Sequence, residues 1–261
     1  MKIAMIQMDI AWESKKANND KAEGFIQRAC QGDCDVVVFP EMFNTGCSMN
    51  VSSVAEEEDG ETAAALSEWA RKYSIEIIAG YPVKAHWRKG KNIACVYDKR
   101  GNRTAQFTKL HPFSFSNEHK YYISGNKLVT FHLEETACSV FICYDLRFPE
   151  IFRSIAKQVE VIFVIANWPS SRIEHWETLL KARAIENQCF IVGVNRTGVD
   201  GNGLYYPGQS HVFDPFGRNV CSGGEHQEYL STEIDVREAK KIRERYPFLQ
   251  DMRPFSVVLT E

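Results

Sequence analysis

The sequence of 261 residues predicts an α/β protein. Short apolar runs typical of buried strands alternate with longer segments in which apolar residues recur at helical spacing. The second half of the chain repeats the arrangement of the first half. A chain of this length can form one large α/β domain with a sizeable buried core, so a second domain is not required.

In the first half, three apolar runs predict strands at residues 3–8, 36–39 and 75–79. Two segments between them have apolar residues three and four positions apart, which lie on one side of a helix. The two predicted apolar faces are Ala22, Phe25, Ile26 and Ala29, and Leu66, Trp69, Ala70 and Tyr73. The segment 99–102, Lys-Arg-Gly-Asn, predicts the turn of a hairpin that follows the third strand.

In the second half, apolar runs predict strands at 137–142, 161–166 and 189–194. A helix is predicted to start at Pro149, because proline favours the first position of a helix. A second helix carries Trp176, Leu179, Leu180 and Arg183. Residues 214–217, Asp-Pro-Phe-Gly, predict the turn of a second hairpin.

Composition and charge exclude several classes of protein. The net charge of -3 and the pI near 6.2 leave no basic face, so nucleic acid is not an expected partner. The apolar start of the chain is interrupted by Gln7, Asp9 and Glu13, so no signal peptide is predicted. No run approaches 18 apolar residues, so no membrane span is expected.

The eight cysteines and seven histidines show no spacing typical of a metal site. There is no CxxC pair and no HExxH segment. We therefore expect reduced thiols in a cytoplasmic protein, and no metal or other cofactor.

Cys143 follows the apolar run 139–142 and precedes the helix predicted at Pro149. A nucleophile at a sharp strand-to-helix turn is held rigidly, and the following backbone N–H groups can bind an oxyanion. A single buried cysteine can also be a small core residue. Cys143 alone therefore leaves both interpretations open.

Two other ionisable residues, Glu41 and Lys109, stand at the ends of comparable apolar runs. Taken singly, each could be a solvated charge at the end of a strand. In the contexts FPEMFNTG, KLHPF and CYDLRFPE, however, the three residues resemble the Glu-Lys-Cys triad of the nitrilase superfamily, the carbon–nitrogen hydrolases. The three motifs are separate and occur in the right order.

The resemblance extends from MKIAMIQMDI at the start to VREAKKIRERYP near the end. Within the superfamily, the segments 117–119 and 167–169 are most similar to the bacterial omega-amidase branch, which hydrolyses the terminal amide of 2-oxo acids such as 2-oxoglutaramate. The resemblance implies a four-layer α-β-β-α sandwich formed by residues 1–261 as a single domain. It also implies a homodimer that the apolar tail 246–261 helps to build, with Pro247, Phe248, Met252 and Phe255.

The residue types suit the hydrolysis of an amide, which is a poor electrophile. Cys143 would be the nucleophile and Glu41 the general base that later protonates ammonia. Lys109 and the backbone N–H of Tyr144 would stabilise the oxyanion. The resemblance implies a further catalytic residue, Glu118, which would orient Lys109 or the substrate; an exposed loop carboxylate is the other interpretation.

A 2-oxo acid amide carries a carboxylate that needs a cationic or hydroxyl-rich receptor. The candidates in the loops that the resemblance identifies are Arg172, His119, Tyr121 and Tyr122. Trp168 would form a pocket wall beside the nucleophile or belong to the core.

Other functions remain open at this point. A nitrilase or an N-carbamoyl amino acid hydrolase would use the same triad on a different small molecule. A catalytically silent binding module would retain the fold, although the three intact residues argue against it. A papain-like protease is disfavoured because no Cys-His-Asn set is apparent, and a thiol redox protein is disfavoured because CxxC is absent.

Overall fold

The computed structural model describes residues 1–253, apart from the Trp87 side chain. Of the predicted tail, Pro247, Phe248 and Met252 are described, and Phe255 lies outside the described residues. The strands in the first half of this range are β1 (Lys2–Gln7), β2 (Val36–Val38), β3 (Glu76–Lys84), β4 (Gly90–Tyr97) and β5 (Arg103–Thr108).

The strands in the second half are β6 (Thr130–Leu133), β7 (Thr136–Ile142), β8 (Val161–Ala166), β9 (Phe190–Asn195), β10 (Thr197–Val199), β11 (Tyr205–Pro207), β12 (His211–Phe213), β13 (Asn219–Ser222) and β14 (Glu228–Glu233). The helices are α1 (Lys15–Gln31), α2 (Val51–Val54), α3 (Glu61–Tyr73), α4 (Glu118–Tyr121), α5 (Pro149–Ile155), α6 (Ile173–Asn187) and α7 (Arg237–Arg245).

Two six-stranded mixed sheets form the middle of the molecule. The first has the order β14-β1-β2-β3-β4-β5, and the second has the order β13-β12-β9-β8-β7-β6. Each sheet has three adjacent parallel strands, β1-β2-β3 and β9-β8-β7, flanked by antiparallel neighbours. The short hairpin β10-β11 forms a separate two-stranded sheet, and Thr197 of β10 bridges to Asp9 after the end of β1.

Alternating side chains place the two faces of the first sheet in different apolar layers. Ile3 and Met5 of β1 belong to the layer between the sheets, together with Phe141 of β7. Ala4 and Ile6 point the other way and pack with residues of α1 and α3. Because successive side chains of a strand alternate between faces, one apolar run supplies both layers.

The outer face of the second sheet is covered by α5 and α6. Phe152 of α5 and Trp176 and Leu180 of α6 are fully buried in the same cluster as β8 and β9. Burial of each such side chain contributes roughly 1.5–3 kcal/mol, so these contacts fix the helices on the sheet. The predicted four-layer α-β-β-α sandwich in a single domain is therefore confirmed.

The two sheets approach closely at Gly80 of β3. A Cβ atom there would lie 2.7 Å from Cδ1 of Ile165 on the second sheet and 3.0 Å from Cα of Glu41 on the first. A side chain here would make Ile165 shift and the Glu41 backbone move by a few tenths of an ångström, whereas glycine fits without rearrangement. Gly80 thus allows the carboxyl ends of β2 and β8 to approach each other.

Candidate active site

Cys143 begins a tight turn directly after β7. Its φ of +48° is in the left-handed region, which non-glycine residues rarely adopt. A residue held in this conformation costs about 1–3 kcal/mol, so the surrounding structure must stabilise the turn. One 3₁₀ turn, Cys143–Arg147, follows, and α5 begins at Pro149 as predicted.

The side chain of Asp145 holds this turn in place. Its buried carboxylate accepts hydrogen bonds from the backbone N–H of Ile142, at 3.3 Å, and from that of His111, at 2.9 Å. His111 also contacts Asp145 through its ring Nδ1 at 2.7 Å. Asp145 therefore ties the turn that carries Cys143 to the segment that follows Lys109.

Lys109 lies between two glutamates that come from different parts of the chain. Its Nζ donates to Glu41 Oε1 at 2.8 Å and to Glu118 Oε2 at 2.8 Å. Glu41 follows β2, Lys109 follows β5, and Glu118 is the first residue of α4. All three are buried, with exposures of 0%, 2% and 3% for Glu41, Lys109 and Glu118. The structure thus brings together the three ionisable partners that the sequence predicted for Cys143.

Two asparagines complete the hydrogen bonding of Glu41. Asn92 Nδ2 of β4 donates to Glu41 Oε1 at 2.6 Å and to Glu118 Oε1 at 3.2 Å. The backbone N–H of Asn167, which follows β8, donates to Glu41 Oε2 at 2.9 Å. Both oxygens of Glu41 are therefore held, and its carboxylate has one orientation.

These partners decide the ionisation of Glu41 and Lys109. Burial raises the pKa of Glu41, but the Lys109 ammonium, the Asn167 N–H and the Asn92 amide outweigh it and hold the pKa below its usual value. Burial lowers the pKa of Lys109, but the carboxylates of Glu118 and Glu41 raise it well above its usual value. At neutral pH the site contains carboxylate and ammonium groups.

The environment of Cys143, by contrast, favours the neutral form of its side chain. Burial and the neighbouring Glu41 carboxylate raise the pKa of its thiol well above the usual value, despite the opposing charge of Lys109. The thiol lies 3.7 Å from the carbonyl oxygen of Asn167. At neutral pH, Cys143 is therefore a protonated thiol beside the ionised carboxylate of Glu41.

A cavity of about 300 Å³ opens onto these groups. Its lining includes Glu41, Lys109, Glu118, Cys143 and Arg172. The remaining wall is largely apolar, with Met42, Met49, Phe113, Leu204 and Tyr206. A cavity of this size with a few converging charged groups suits a small polar substrate.

Tyr144, Trp168 and Arg172 line a smaller adjoining cavity that also reaches Cys143. Trp168 is 2% exposed, and its Nε1 donates to the carbonyl oxygen of Arg172 at 2.7 Å. The guanidinium of Arg172 lies 5.3 Å from the centre of the Phe113 ring. Trp168 is thus a buried residue and a cavity wall at once, and it supports the turn that carries Arg172.

His119 is not brought to the site. Its side chain is exposed and is absent from the lining of both cavities among the described residues. Successive residues of a helix point about 100° apart, so with Glu118 facing inward its neighbour on α4 turns away. Of the two tyrosine candidates, Tyr121 is 43% exposed, and Tyr122 is buried with its hydroxyl donating to the Ser48 carbonyl oxygen at 2.7 Å.

Sequence reasoning did not assign roles to Asn92, Asp145 and Asn167, and it did not notice that Cys47 lines the main cavity. Asn92 was detectable in principle. It shares a face of β4 with Ala94 and Val96, which lie in the layer between the sheets. A polar residue at such a position needs buried partners.

Among residues 1–253, no group of three or more His, Cys, Asp or Glu side chains is arranged to hold a metal ion. None of the described helices combines the length and the apolar character needed to cross a membrane.

The fold and the site together define a hydrolase with a cysteine nucleophile. The chain belongs to the carbon–nitrogen hydrolase family, whose model matches residues 2–244. The prediction of this superfamily is therefore confirmed.

Individual relatives cover nearly the whole chain. A 2-oxoglutaramate amidase of Bacillus subtilis is 35% identical, over 96% of this chain and 97% of its own length. Omega-amidase YafV of Escherichia coli is 32% identical, over 98% of each chain. The crystal structure of a CN-hydrolase superfamily protein from Xanthomonas campestris, with an arsenic adduct in its active site, has a TM-score of 0.91 at 31% identity, covering 99% of both chains.

Proposed function

We propose that this protein is an omega-amidase, which hydrolyses the terminal amide of a short 2-oxo acid such as 2-oxoglutaramate to the acid and ammonia. The observation that carries the proposal is the Lys109 ammonium bound between Glu41 and Glu118 at the cavity that contains Cys143. The names of the Bacillus subtilis and Escherichia coli relatives support the substrate class.

The first half of the reaction forms a thioester. Glu41 takes the proton of Cys143 while the sulfur attacks the amide carbon, because the raised pKa of the thiol and the lowered pKa of the carboxylate disfavour a free thiolate beforehand. Lys109 and the Tyr144 N–H stabilise the oxyanion. The C–N bond then breaks, and the nitrogen leaves as ammonia with the proton held by Glu41.

The second half regenerates the enzyme. Glu41 takes a proton from water, whose oxygen attacks the thioester carbon. The S–C bond breaks, the acid is released, and the Cys143 sulfur regains its proton. Glu118 acts by keeping Lys109 charged and in place through both halves, as its 2.8 Å ion pair with the ammonium requires.

The substrate carboxylate is proposed to bind Arg172. This residue lines both cavities next to Cys143, and a guanidinium matches the two oxygens of a carboxylate. Trp168 and Tyr144 form the adjoining wall. His119 is not part of this proposal, because its side chain lies outside both cavities.

The decisive experiment measures ammonia release from 2-oxoglutaramate, 2-oxosuccinamate, glutamine, N-carbamoyl amino acids and simple nitriles. We expect turnover of the 2-oxo amides, and none with Cys143→Ala. Activity confined to carbamoyl substrates or nitriles would retain the catalytic residues and overturn the substrate class.

Arg172→Ala should raise KM for 2-oxoglutaramate about tenfold or more and change kcat little, because a charge-assisted contact made equally in the ground and transition states is lost. The measurement is steady-state kinetics. The methyl ester of the same amide is the matched control, since it has no carboxylate to lose. An equal effect on the ester would refute carboxylate binding by Arg172.

We further propose that residues 1–261 act as one domain that forms a homodimer through the segment 246–261. An exposed aromatic patch supports this: Phe216 is 44% exposed, Phe248 is 62% exposed, and the ring of Tyr246 lies 5.8 Å from each. Phe248→Asp should shift the molar mass in light scattering from dimer to monomer. A wild-type monomer, or an unchanged variant, would refute the interface.

We also propose a cytoplasmic location. All eight cysteines are free thiols in the structure, which suits a reducing compartment. Fractionation of the cells that produce the protein tests this location.

A further inference from the structure

A second, larger cleft lies at the end of the sandwich opposite Cys143. Its volume is about 820 Å³, and it is lined from the first sheet by Asp35 and Glu76 and from the second by residues 133–136. Asp35 precedes β2 and Thr136 begins β7, whereas Glu41 and Cys143 follow the same two strands. At about 3.3 Å per residue, the seven residues of β7 separate the two sites by roughly 20 Å.

The cleft is strongly acidic. Six carboxylates line it, from Asp35, Glu76, Glu134, Glu135, Glu233 and Asp235. Arg237 forms an ion pair with Asp235 at 2.7 Å, and Lys99 forms one with Glu134 at 2.6 Å. Among the described residues, the other four carboxylates have no Lys, Arg or His partner within 4 Å.

Glu76 is the least compensated of these groups. It is 7% exposed, it lines the cleft, and its Oε2 has no hydrogen-bond partner among the described residues. As the first residue of β3, it shares a face with Ile78, which lies in the layer between the sheets. An unpaired buried carboxylate oxygen is costly, and a bound cation would relieve that cost.

The charges around Glu76 also favour a bound cation. Burial, opposed by the charge of Lys99 and assisted by the carboxylates of Glu134, Asp35 and Asp98, raises the pKa of Glu76 to about 7. The local field therefore favours the addition of positive charge.

We propose that this cleft binds a linear organic cation with two or more ammonium groups, of the diamine or polyamine class. One ammonium group would pair with Glu76 inside the cleft. A second would reach Glu135 or Glu233, which lie on the β6-β7 turn and on β14. Carboxylates on separate elements around a cleft of this volume match spaced charges along a flexible chain.

The test is calorimetric titration of the full chain with spermidine in phosphate buffer at about 0.15 M salt, where weak surface attraction is screened. We expect saturable binding at one site. Glu76→Gln should raise Kd about tenfold or more, as expected for a lost charge-assisted hydrogen bond. Glu68→Gln on α3, which removes an exposed carboxylate outside the cleft, should change Kd less than about twofold.

Glu233→Gln provides a second variant with an exposed side chain, in case Glu76→Gln does not fold, and should also weaken binding. The proposal is overturned if spermidine does not bind, if neither cleft variant weakens binding, or if magnesium chloride binds the same site more tightly than spermidine. None of these readouts requires amidase activity, so the result is independent of the proposed reaction.

Discussion

Two buried glutamates of the first sheet, Glu41 and Glu76, differ in what surrounds them. Glu41 lies after the end of β2, and both its oxygens accept hydrogen bonds from Lys109, Asn92 and Asn167. Glu76 lies at the start of β3 and has one oxygen without a partner among the described residues. The pKa of Glu41 is held below its usual value, while burial raises that of Glu76 to about 7.

The difference shows that burial alone does not determine the ionisation of a carboxyl group. Desolvation acts on both residues in the same direction, and the donors around Glu41 reverse its effect. One end of the sandwich therefore holds an ionised carboxylate, that of the proposed base Glu41. The other end holds a carboxyl group that ionises only near neutral pH.

Lys109→Met should have the largest effect, because it would remove the cation that opposes the burial of Glu41. Glu41 and Glu118 would lose their buried counter-ion, and removal of one partner from such a network costs about 3–5 kcal/mol. We expect this loss in the free energy of unfolding measured with urea, together with loss of amidase activity.

Lys84→Met is the matched control. Lys84 pairs with Glu57 at 2.8 Å on the surface, with side-chain exposures of 53% and 75%. An exposed pair contributes at most about 1 kcal/mol, so this variant should remain close to wild type. Equal stabilities of the two variants would show that the buried network does not stabilise the fold.

Glu76→Gln should change how stability depends on pH. The folded-state pKa of about 7 exceeds the usual 4.5, so between these values the folded chain holds a proton that the unfolded chain has released. The contribution of Glu76 to wild-type stability should therefore fall as pH rises through this window and then level off. Relative to wild type, the variant should gain on the order of 3 kcal/mol between pH 4 and pH 8.

Thermal unfolding in buffers without organic amines measures this gain. A Glu76→Gln variant whose stability curve runs parallel to that of wild type would contradict the raised pKa.

Glu41 should contribute to stability in the opposite sense, because its folded-state pKa is lowered. Its contribution is present above the usual 4.5 and is lost as pH falls through the lowered value.

Asn92→Ala should have the smallest effect of the three. Asn92 does not line the described cavity but positions Glu41 and Glu118, so kcat should fall about tenfold while KM stays within about twofold. Loss of its hydrogen bond should also raise the pKa of Glu41 and move the acid limb of the kcat profile to higher pH. Asn219→Ala, at an exposed position of β13, is the control. An unchanged pH profile would exclude the positioning role.

The regular apolar elements were predictable from the sequence. The strand predicted at 161–166 is β8, Val161–Ala166, because its side chains are buried on both faces and form a continuous apolar run. No apolar run marks β14, Glu228–Glu233, in the sequence. Its residues other than Tyr229 and Leu230 are polar, all are partly or fully exposed, and it pairs with β1 from the other end of the chain.

The site was predictable to the extent that its residues end apolar strands. Glu41 and Cys143 do so, and their motifs identified the family. The orientation of His119 depended on the rotation of α4, and the role of Asn92 depended on the packing of β4 against its neighbours. The position of Asn92 on β4 indicates that it needs buried partners, but those partners, Glu41 and Glu118, lie far from it in sequence, so no local pattern identifies them.

Because of Gly80, the separation of the two sheets becomes part of the proposed catalytic arrangement. The proposed base follows β2 of the first sheet, and the proposed nucleophile follows β7 of the second, so their separation depends on how closely the layers stack. A methyl group at residue 80 would push against the Ile165 side chain and the backbone of Glu41. A substitution at residue 80 would therefore change the rate of the proposed reaction while every proposed catalytic side chain remained unchanged.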